Sequence, residues 1–381
     1  MAFTLSQTMV SVAVLGGTGK IGSALIRQID SQRENLKDKL NFGVCVNVIA
    51  SSSKMLLGNS DTKCLVCTGD PSEQLEGPEA VDFDIDALTK QLEADVNPHR
   101  IIVDCTNSDA VAEYYDKWMS LGINIISPGN LAGAGPLDRY RALQRAQRKN
   151  SVEWQYESSV GAALPILSTL RDLVQTGDDV QLIRGSLSGV MAFVFNNMSE
   201  DTTFSEAVRL AIAQDFAEND VRDDLSGLDA RRKIVVLARE LGLDVSLEDV
   251  EMESLVPDDI MEKEYTGTIQ ENYDAILEDL KSLDEPMMKR WKEAQSEGKQ
   301  LRYKFKINVA SGKCRCRLEA VDNSDTLFRL RENENLVAFE TSRYTTSPLI
   351  VKGAAAGPDL SASGMFSDLL RLGRAFVGSQ S

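Results

Sequence analysis

The most constraining feature of this chain is an apolar segment that runs directly into a glycine-rich turn and then into a helical pattern. Residues 9–16 (MVSVAVLG) are apolar enough for a buried strand, and Gly17, Gly19 and Gly22 follow with GxGxxG spacing. From Lys20 onward, apolar residues recur at helical spacing. This order predicts the first half of a βαβ unit, in which the amides at the start of the helix can hold a pyrophosphate.

Further apolar strands alternate with helical stretches and each ends in a polar loop. They are predicted at residues 42–50, 100–104 and 123–126. This alternation predicts an α/β fold with a Rossmann-type, doubly wound parallel sheet, whose ligands bind at the carboxyl ends of the strands. Residues 51–54, 105–108 (with Thr106 and Asn107) and 127–130 form the loops at those ends.

The pattern changes near residue 152, and the later strand runs at 302–310 and 315–321 alternate as in an antiparallel sheet. We therefore predict three segments. Residues 1–151 form the nucleotide-binding domain and residues 152–340 a substrate-binding and catalytic α+β domain. Residues 341–381 again place glycines before a helix and are expected to return to the nucleotide domain.

Charge and hydropathy exclude several classes of partner. The chain carries 58 acidic and 41 basic residues, a formal charge of -17, which repels phosphate backbones and anionic lipid. We therefore expect no nucleic acid as a partner. We also expect no membrane as a partner, since no apolar run approaches the ~20 residues that span a bilayer. The first strand begins too early to leave room for a signal peptide. A cytoplasmic location is predicted, with a plastid as the alternative if a transit peptide has been removed.

The number and spacing of the cysteines also agree with an intracellular protein. Six cysteines in 381 residues are too few for a disulfide scaffold, which fits a reducing compartment. Cys64 and Cys67 form a CxxC, and Cys314 and Cys316 a CxC, but neither has the second pair or neighbouring histidine of a closed zinc site. We expect neither metal nor redox use of them.

The glycine turn and the end of the second strand together favour NADP. The candidate cofactor-binding residues in the turn are Gly17, Thr18, Gly19, Lys20, Ile21 and Gly22. NAD enzymes usually end the second strand with Asp or Glu, whereas Ser51, Ser52, Ser53 and Lys54 stand here and suit a 2′-phosphate. NAD and a merely solvated loop stay open as alternatives. The spacing Gly16-x-x-Gly19-x-x-Gly22 also occurs in short-chain dehydrogenases, so the turn alone does not choose a subfamily.

The presence of a single histidine excludes several kinds of catalytic and metal site. His99 lies beside Pro98 before a strand, so hydrolases with a Ser/His/Asp triad, histidine-based dehydrogenases and multi-histidine metal sites lack their central group. Asp229 and Lys233 are four residues apart at the start of a predicted helix. Taken alone they indicate an exposed ion pair. The acidic residues of 218–229 nevertheless exceed what helix capping requires and could hold an ammonium group.

Several segments resemble the homoserine dehydrogenase family. ESSVGAALPI from Glu157 resembles its E-x-T-V-G-x-G-L-P-I stretch, and RGSLSGVMAFVFN from Arg184 its G-x-x-S-G-T-x-x-x-I-x-N stretch. RDDLSGLDARRK from Arg222 resembles the signature D-P-x-D-D-L-x-G-x-D-x-x-R-K. Tyr344 and the GAAAG run at 353–357 resemble the closing nucleotide-side segment. The similarity extends in order from about residue 10 to about residue 376.

The resemblance implies NADP-dependent interconversion of L-aspartate 4-semialdehyde and L-homoserine, in threonine, methionine and isoleucine biosynthesis, by a homodimer that uses its second domain for dimerisation. It implies that Lys233 transfers the proton, with Asp229 beside it. The implied substrate residues are Glu218, Asp224 and Asp229. The implied dinucleotide contacts include Gly17, Gly19, Gly22, Thr106 and Gly357. A structural monovalent cation, Na or K, is implied at Glu157, Val160, Ala162 and Leu164.

One departure from the family pattern concerns catalysis. The loop after the fourth strand usually carries an N-K pair, but Asn130 and Leu131 stand here, without a lysine. Either Lys20 or Lys54 substitutes, or activity is weak, because a lost cation lowers transition-state stabilisation. A related NADP oxidoreductase acting on another semialdehyde, or an inactive dinucleotide-binding regulator, are the alternatives that this departure leaves open.

Overall fold

The computed structural model describes residues 8–58, 64–65, 70–214, 216–217 and 220–378. Within it the chain forms two compact units. Unit 1 comprises residues 1–163 and 357–381, and unit 2 comprises residues 164–356.

Unit 1 is built on a seven-stranded sheet. Its strands are β1 (Thr8–Leu15), β2 (Phe42–Ala50), β3 (Lys54–Leu57), β4 (Val81–Asp82), β5 (Arg100–Asp104), β6 (Asn124–Ile126) and β7 (Trp154–Gln155), in the order β4-β3-β2-β1-β5-β6-β7. β2, β1, β5, β6 and β7 run parallel. The predicted doubly wound parallel sheet is confirmed for these strands, and the structure adds β3 and β4 as a short antiparallel edge.

Helices cover this sheet between the strands. They are α1 (Lys20–Leu40), α2 (Pro71–Leu75), α3 (Ile85–Ala94), α4 (Asp109–Ala112), α5 (Tyr115–Ser120), α6 (Leu131–Ala134) and α7 (Leu137–Asn150). The first follows the predicted helical spacing and turns Leu25, Ile26 and Ile29 into the core against Val12 and Val14 of β1. Burial of this apolar stripe, rather than helix propensity, stabilises α1 in its place.

Unit 2 contains a six-stranded sheet. Its strands are β8 (Val180–Ser186), β9 (Val250–Met252), β10 (Gln300–Asn308), β11 (Lys313–Val321), β12 (Glu334–Thr341) and β13 (Leu349–Ala354), in the order β13-β12-β8-β10-β11-β9. β10 pairs antiparallel with β11 and β8, and only the short β9 runs parallel to its neighbour. The predicted α+β character of this part of the chain is confirmed.

The helices of unit 2 position the candidate catalytic residues. They are α8 (Ile166–Gln175), α9 (Gly189–Asn197), α10 (Phe204–Ala213), α11 (Val221–Leu225), α12 (Leu228–Glu240), α13 (Asp258–Met261), α14 (Ile269–Leu280) and α15 (Asp284–Ser296). The apolar face of α12 is fully buried at Ile234, Val235 and Leu237. Burial of that face fixes the rotation of α12 about its axis, and therefore the direction of its polar residues.

The last helix, α16 (Pro358–Gly378), belongs to unit 1. Its Met365, Leu369 and Leu372 share the hydrophobic core of β1 and α1. The ring of Phe376 stacks on His99 with the ring centroids 4.4 Å apart. The predicted return of the chain to the nucleotide domain therefore consists of this helix.

Both domain boundaries lie later than the sequence predicted. The first was expected after residue 151, but β7 pairs with β6, so residues 152–163 belong to unit 1. The second was expected after residue 340, but β13 pairs with β12, which places residues 341–356 in unit 2. In each case the hydrogen bonds of a strand decide to which unit a segment belongs.

One cysteine pair is oxidised, which differs from the expectation of reduced cysteines. Cys45 on β2 and Cys64 form a disulfide with their Cα atoms 5.0 Å apart. They meet because the chain runs back along β2, where the amide of Leu65 donates to the carbonyl of Val46 at 2.8 Å. Cys67, the other half of the CxxC, lies outside the described residues. Across the described residues, no helix combines the length and the apolar character needed to cross a membrane.

Candidate functional site

The glycine turn between β1 and α1 leaves the helix start open to a ligand. A Cβ atom on Gly22 would lie 2.3 Å from the carbonyl oxygen of Gly16, so only glycine allows this contact. α1 begins at Lys20, and Gly19 at the N-cap provides no side chain to its amides. Its first turn contains no acidic residue. Uncapped amides at the positive end of a helix dipole suit the phosphates of a dinucleotide.

The predicted 2′-phosphate residues form the tight turn between β2 and β3. The Ser51 hydroxyl accepts the amides of Ser53 and Lys54 at 3.3 and 3.0 Å. Lys54 Nζ donates to Asp82 Oδ1 at 2.6 Å, and this lysine lowers the pKa of the Asp82 carboxyl. Asp82 is 90% exposed, so the pair is a weak surface ion pair with which a phosphate can compete.

A buried carboxylate, which sequence patterns did not reveal, organises the loop after β5. Asp104 Oδ1 accepts the amide and the hydroxyl of Thr106 at 2.9 and 2.6 Å, and Oδ2 accepts the Tyr115 hydroxyl at 2.7 Å. Burial raises the pKa of Asp104, although these donors act in the opposite direction. Asn107 follows with a φ of 50°, a left-handed conformation that asparagine tolerates. Asp104 therefore fixes the backbone that presents Thr106 and Asn107.

Replacing Tyr115 with phenylalanine should lower the free energy of unfolding by about 1–3 kcal/mol, because a buried carboxyl loses one donor. Urea denaturation monitored by circular dichroism measures this. Tyr114→Phe is the matched control, since Tyr114 is the neighbouring tyrosine and is only half-buried. An equal loss in both variants would show that the Asp104 bond contributes nothing specific.

The loop after β6 contains the departure from the family pattern. Asn130, 9% exposed, stands at the N-cap of α6, and its side chain does not cap the helix. Arg139 contacts this loop: its Nη2 lies 2.6 Å from Asp109 Oδ1 and 3.5 Å from the carbonyl oxygen of Leu131. Lys54, one of the two lysines expected to replace the missing one, pairs with Asp82 instead.

In unit 2 the structure brings together the two predicted catalytic residues. Lys233 Nζ lies 2.6 Å from Asp229 Oδ2 and donates to the carbonyl oxygen of Leu187 at 3.1 Å. The lysine side chain is 18% exposed, whereas that of Asp229 is 42% exposed. The Leu187 carbonyl precedes Ser188, whose hydroxyl caps α9 by accepting the amide of Met191. The ammonium group therefore contacts one oxygen on α12 and one in the segment between β8 and α9, and the contribution of the Leu187 main chain could not be predicted from residue types.

The remaining acidic residues of this region differ in their surroundings. Arg222 Nη2 pairs with Asp220 Oδ2 at 2.6 Å, and that hydrogen bond lowers the pKa of Asp220. Burial and the neighbouring Asp220 raise the pKa of Asp223. Asp224 lies half-buried on α11, and Glu218 lies outside the described residues. Of the three predicted substrate residues, the structure thus places Asp224 and Asp229.

The predicted cation loop is buried in unit 1. The carboxylate of Glu157, 1% exposed, accepts Arg371 Nη1 at 3.1 Å. Val160 is fully buried, and Ala162 has a φ of 55°. Leu164, the fourth residue of the prediction, belongs to unit 2. The Glu157 carboxylate therefore already has a cationic partner. Because Glu157 and Arg371 are far apart in the sequence, this pair could not be predicted from it.

Comparison with known proteins supports the same two segments. Residues 17–157 match the family model "Homoserine dehydrogenase, NAD binding domain", and residues 165–370 match "Homoserine dehydrogenase". A homoserine dehydrogenase of Schizosaccharomyces pombe is 33% identical over 383 residues, covering 96% of each chain. A chloroplastic bifunctional aspartokinase/homoserine dehydrogenase 1 of Zea mays is 39% identical over 380 residues. The chain spans only 40% of that bifunctional protein's length.

Solved structures resemble the fold. A protein of unknown function from Candida auris aligns with a TM-score of 0.82 and 32% identity, covering 96% of this chain and 98% of the other. A hyperthermophilic archaeal homoserine dehydrogenase in complex with NADPH aligns with a TM-score of 0.70 over 96% of this chain and 97% of the other. At 18% identity, the second likeness concerns the fold alone.

Proposed function

Since this chain belongs to the homoserine dehydrogenase family, we propose that it interconverts L-aspartate 4-semialdehyde and L-homoserine with NADP. The observation that carries this proposal is the position of Lys233, which Asp229 and the Leu187 carbonyl hold within the segment that the family model matches. A lysine held by two oxygens from separate parts of the chain is arranged to meet a reacting oxygen, whereas an ordinary exposed ion pair has a single partner.

Unit 1 supports the cofactor half of the proposal. The uncapped amides of α1 bind the pyrophosphate, and Lys54 with Ser51 and Ser52 binds the 2′-phosphate. Asp104 holds Thr106 in the loop at the carboxyl end of β5, where ligands of doubly wound sheets bind. Gly357 has a φ of 114° and begins the segment that returns to unit 1. Because it has no side chain, its main chain is free to contact the dinucleotide.

Unit 2 supports the substrate half. NADPH, when bound, supplies a hydride to the aldehyde carbon of the semialdehyde. The Lys233 ammonium gives its proton to the carbonyl oxygen, so that the alkoxide never accumulates, and it takes that proton back in the oxidation of homoserine. Asp229 orients Lys233, and Asp224, with Glu218, binds the ammonium group of the amino acid.

The test is the absorbance of reduced nicotinamide with purified protein, homoserine and NADP or NAD. Homoserine-dependent formation of NADPH, with little formation of NADH, is the expected result. Clear NADPH binding without turnover on homoserine or aspartate semialdehyde would overturn the proposed reaction. That outcome would favour a regulator, for which the supporting observation is the loop sequence Asn130-Leu131, which lacks the lysine of the family's N-K pair.

Lys54→Ala should weaken NADP binding by about tenfold and leave NAD binding unchanged, because one charge-assisted contact to the 2′-phosphate is lost. Titration of both nucleotides by calorimetry measures the two affinities. Lys90→Ala, another exposed lysine of unit 1, is the control. Equal weakening of NADP and NAD would show that Lys54 does not recognise the phosphate.

We also propose a structural monovalent cation at the turn that follows Glu157. Gly161 and Ala162 both have positive φ, 85° and 55°, and consecutive residues of this kind turn their carbonyls sharply. Since Arg371 occupies the Glu157 carboxylate, the ligands would be main-chain carbonyls such as those of Val160 and Ala162. The cation takes no part in the reaction. Family membership likewise supports a homodimer, and a cytoplasmic or plastid location, as proposals.

A further inference from the structure

A groove in unit 2 has a strongly basic lining that the proposed reaction does not use. Its volume is about 790 Å³. It is lined by Asn196, Gln300, Arg302, Phe328, Arg329, Leu330, Arg331 and Glu332. None of these residues is a candidate catalytic, substrate or cofactor residue. The whole chain has a formal charge of -17, whereas three arginines line this groove. The local charge of the groove is therefore opposite in sign to that of the chain.

The first arginine, Arg302, is buried without a carboxylate partner. It lies on β10, is 3% exposed, and burial lowers its pKa to about 10. Its donors reach neutral oxygens only: the carbonyls of Leu301, Leu327, Phe328 and Leu330 and the side-chain amide of Asn196, at 2.8–3.3 Å. Among the described residues no acidic group forms an ion pair with it. A buried guanidinium whose charge is not balanced is costly unless an anion approaches.

The other two arginines lie at the rim. Arg329 and Arg331 are exposed, and their side chains have no recorded ion pair within the described ranges. The only carboxylate of the lining belongs to Glu332, and its Oε1 accepts Asn197 Nδ2 at 3.0 Å. The carbonyl of Arg329 accepts Lys352 Nζ at 3.2 Å, which adds a fourth positive charge behind the rim. Glu334 Oε2 lies 2.9 Å from that lysine and also accepts the amide of Arg331 at 2.7 Å, so this carboxylate offsets part of the positive charge behind the rim.

We propose that this groove is a binding site for a small organic anion that carries a carboxylate or phosphate group. The buried Arg302 supplies charge in a low-dielectric position, where attraction to an anion is stronger than in water. Arg329 and Arg331 supply flexible guanidinium groups, which match the oxygens of carboxylate and phosphate with two parallel hydrogen bonds. Phe328 and Leu330 provide apolar surface for the carbon skeleton of the ligand.

The experiment is calorimetric titration of the full chain with inorganic phosphate and, separately, with succinate, at constant ionic strength. The expected result is saturable binding of at least one anion that the R329A/R331A double variant weakens by about tenfold or more. Arg209→Ala, an exposed arginine on α10, is the matched control and should bind like the wild type. Phosphate and succinate distinguish the two ligand chemistries.

Two further variants keep the result unambiguous. R331E leaves the buried Arg302 in place and should abolish binding by repulsion, which tests the site even if the double variant folds poorly. K54A removes the proposed 2′-phosphate contact but should keep the binding that depends on Arg329 and Arg331, and a loss of all anion binding there would place the anion at the turn between β2 and β3 instead. Absence of binding in the wild type, or binding that survives both rim variants, would overturn the proposal. Because the readout is heat rather than turnover, this result is independent of whether the chain oxidises homoserine.

Discussion

Replacing Lys233 with alanine is expected to lower kcat for homoserine oxidation by about 10²–10⁴-fold, the usual contribution of a positioned acid or base. NADPH affinity should not change, because the predicted nucleotide contacts lie in unit 1 whereas Lys233 lies on α12 of unit 2. The steady-state rate of NADPH formation measures the first effect. Quenching of protein fluorescence by NADPH measures the second.

Lys289→Ala provides the control for this variant. Lys289 is also a helical lysine of unit 2, but it is exposed on α15 and has no recorded ion pair among the described residues. Its removal should leave both kcat and NADPH affinity unchanged. If Lys233→Ala keeps wild-type turnover, or loses nucleotide affinity as much as turnover, the proton-transfer role is wrong.

Local patterns predicted the nucleotide half of the fold well. β2 and β5 have the bounds that their apolar runs gave, 42–50 and 100–104. Each pairs parallel with β1 and is buried except at one half-buried residue, and such strands appear in the sequence as continuous apolar runs bounded by polar loops. The glycine turn could be predicted equally well, because a close backbone contact such as that of Gly22 with Gly16 requires glycine.

The elements that the sequence did not reveal depend on pairing rather than on composition. β3 is a strand of four residues that begins at Lys54, which reads as the end of a polar loop. It forms because Met55, Leu56 and Leu57 pair back onto β2. β13 alternates between exposed and half-buried residues, so its membership in unit 2 follows only from its ladder with β12.

The candidate site shows the same division. The spacing of Asp229 and Lys233 on a helix predicted their ion pair, because residues four apart share one face. The third member, the Leu187 carbonyl, is main chain and leaves no trace in residue types. Asp104 and Tyr115 are 11 residues apart, and their bond depends on where the fold places the start of α5 relative to the end of β5. Sequence therefore predicts contacts within an element better than contacts between elements.

Replacing Gly22 with alanine is expected to have the largest effect in unit 1. The added Cβ would lie 2.3 Å from the Gly16 carbonyl oxygen and 2.8 Å from Gly17 Cα, and both are backbone atoms that no side-chain rotation can move away. The turn must shift, and the amides of α1 with it. NADPH affinity should fall by about 100-fold or more, a loss of about 2.7 kcal/mol. Overpacking should also lower the free energy of unfolding by about 1–3 kcal/mol.

Gly19→Ala in the same turn provides a graded comparison for Gly22→Ala. Its Cβ would meet only the Gly16 carbonyl oxygen, at 3.3 Å, which a small backbone adjustment relieves. Gly378→Ala, with no atom within 4 Å of the added Cβ, is the neutral control. Fluorescence titration with NADPH should therefore rank the affinities as Gly378→Ala, then Gly19→Ala, then Gly22→Ala. A backbone clash of this size cannot be absorbed without moving the α1 amides. Wild-type NADPH affinity in Gly22→Ala would therefore mean that the close packing of this turn does not shape the phosphate site.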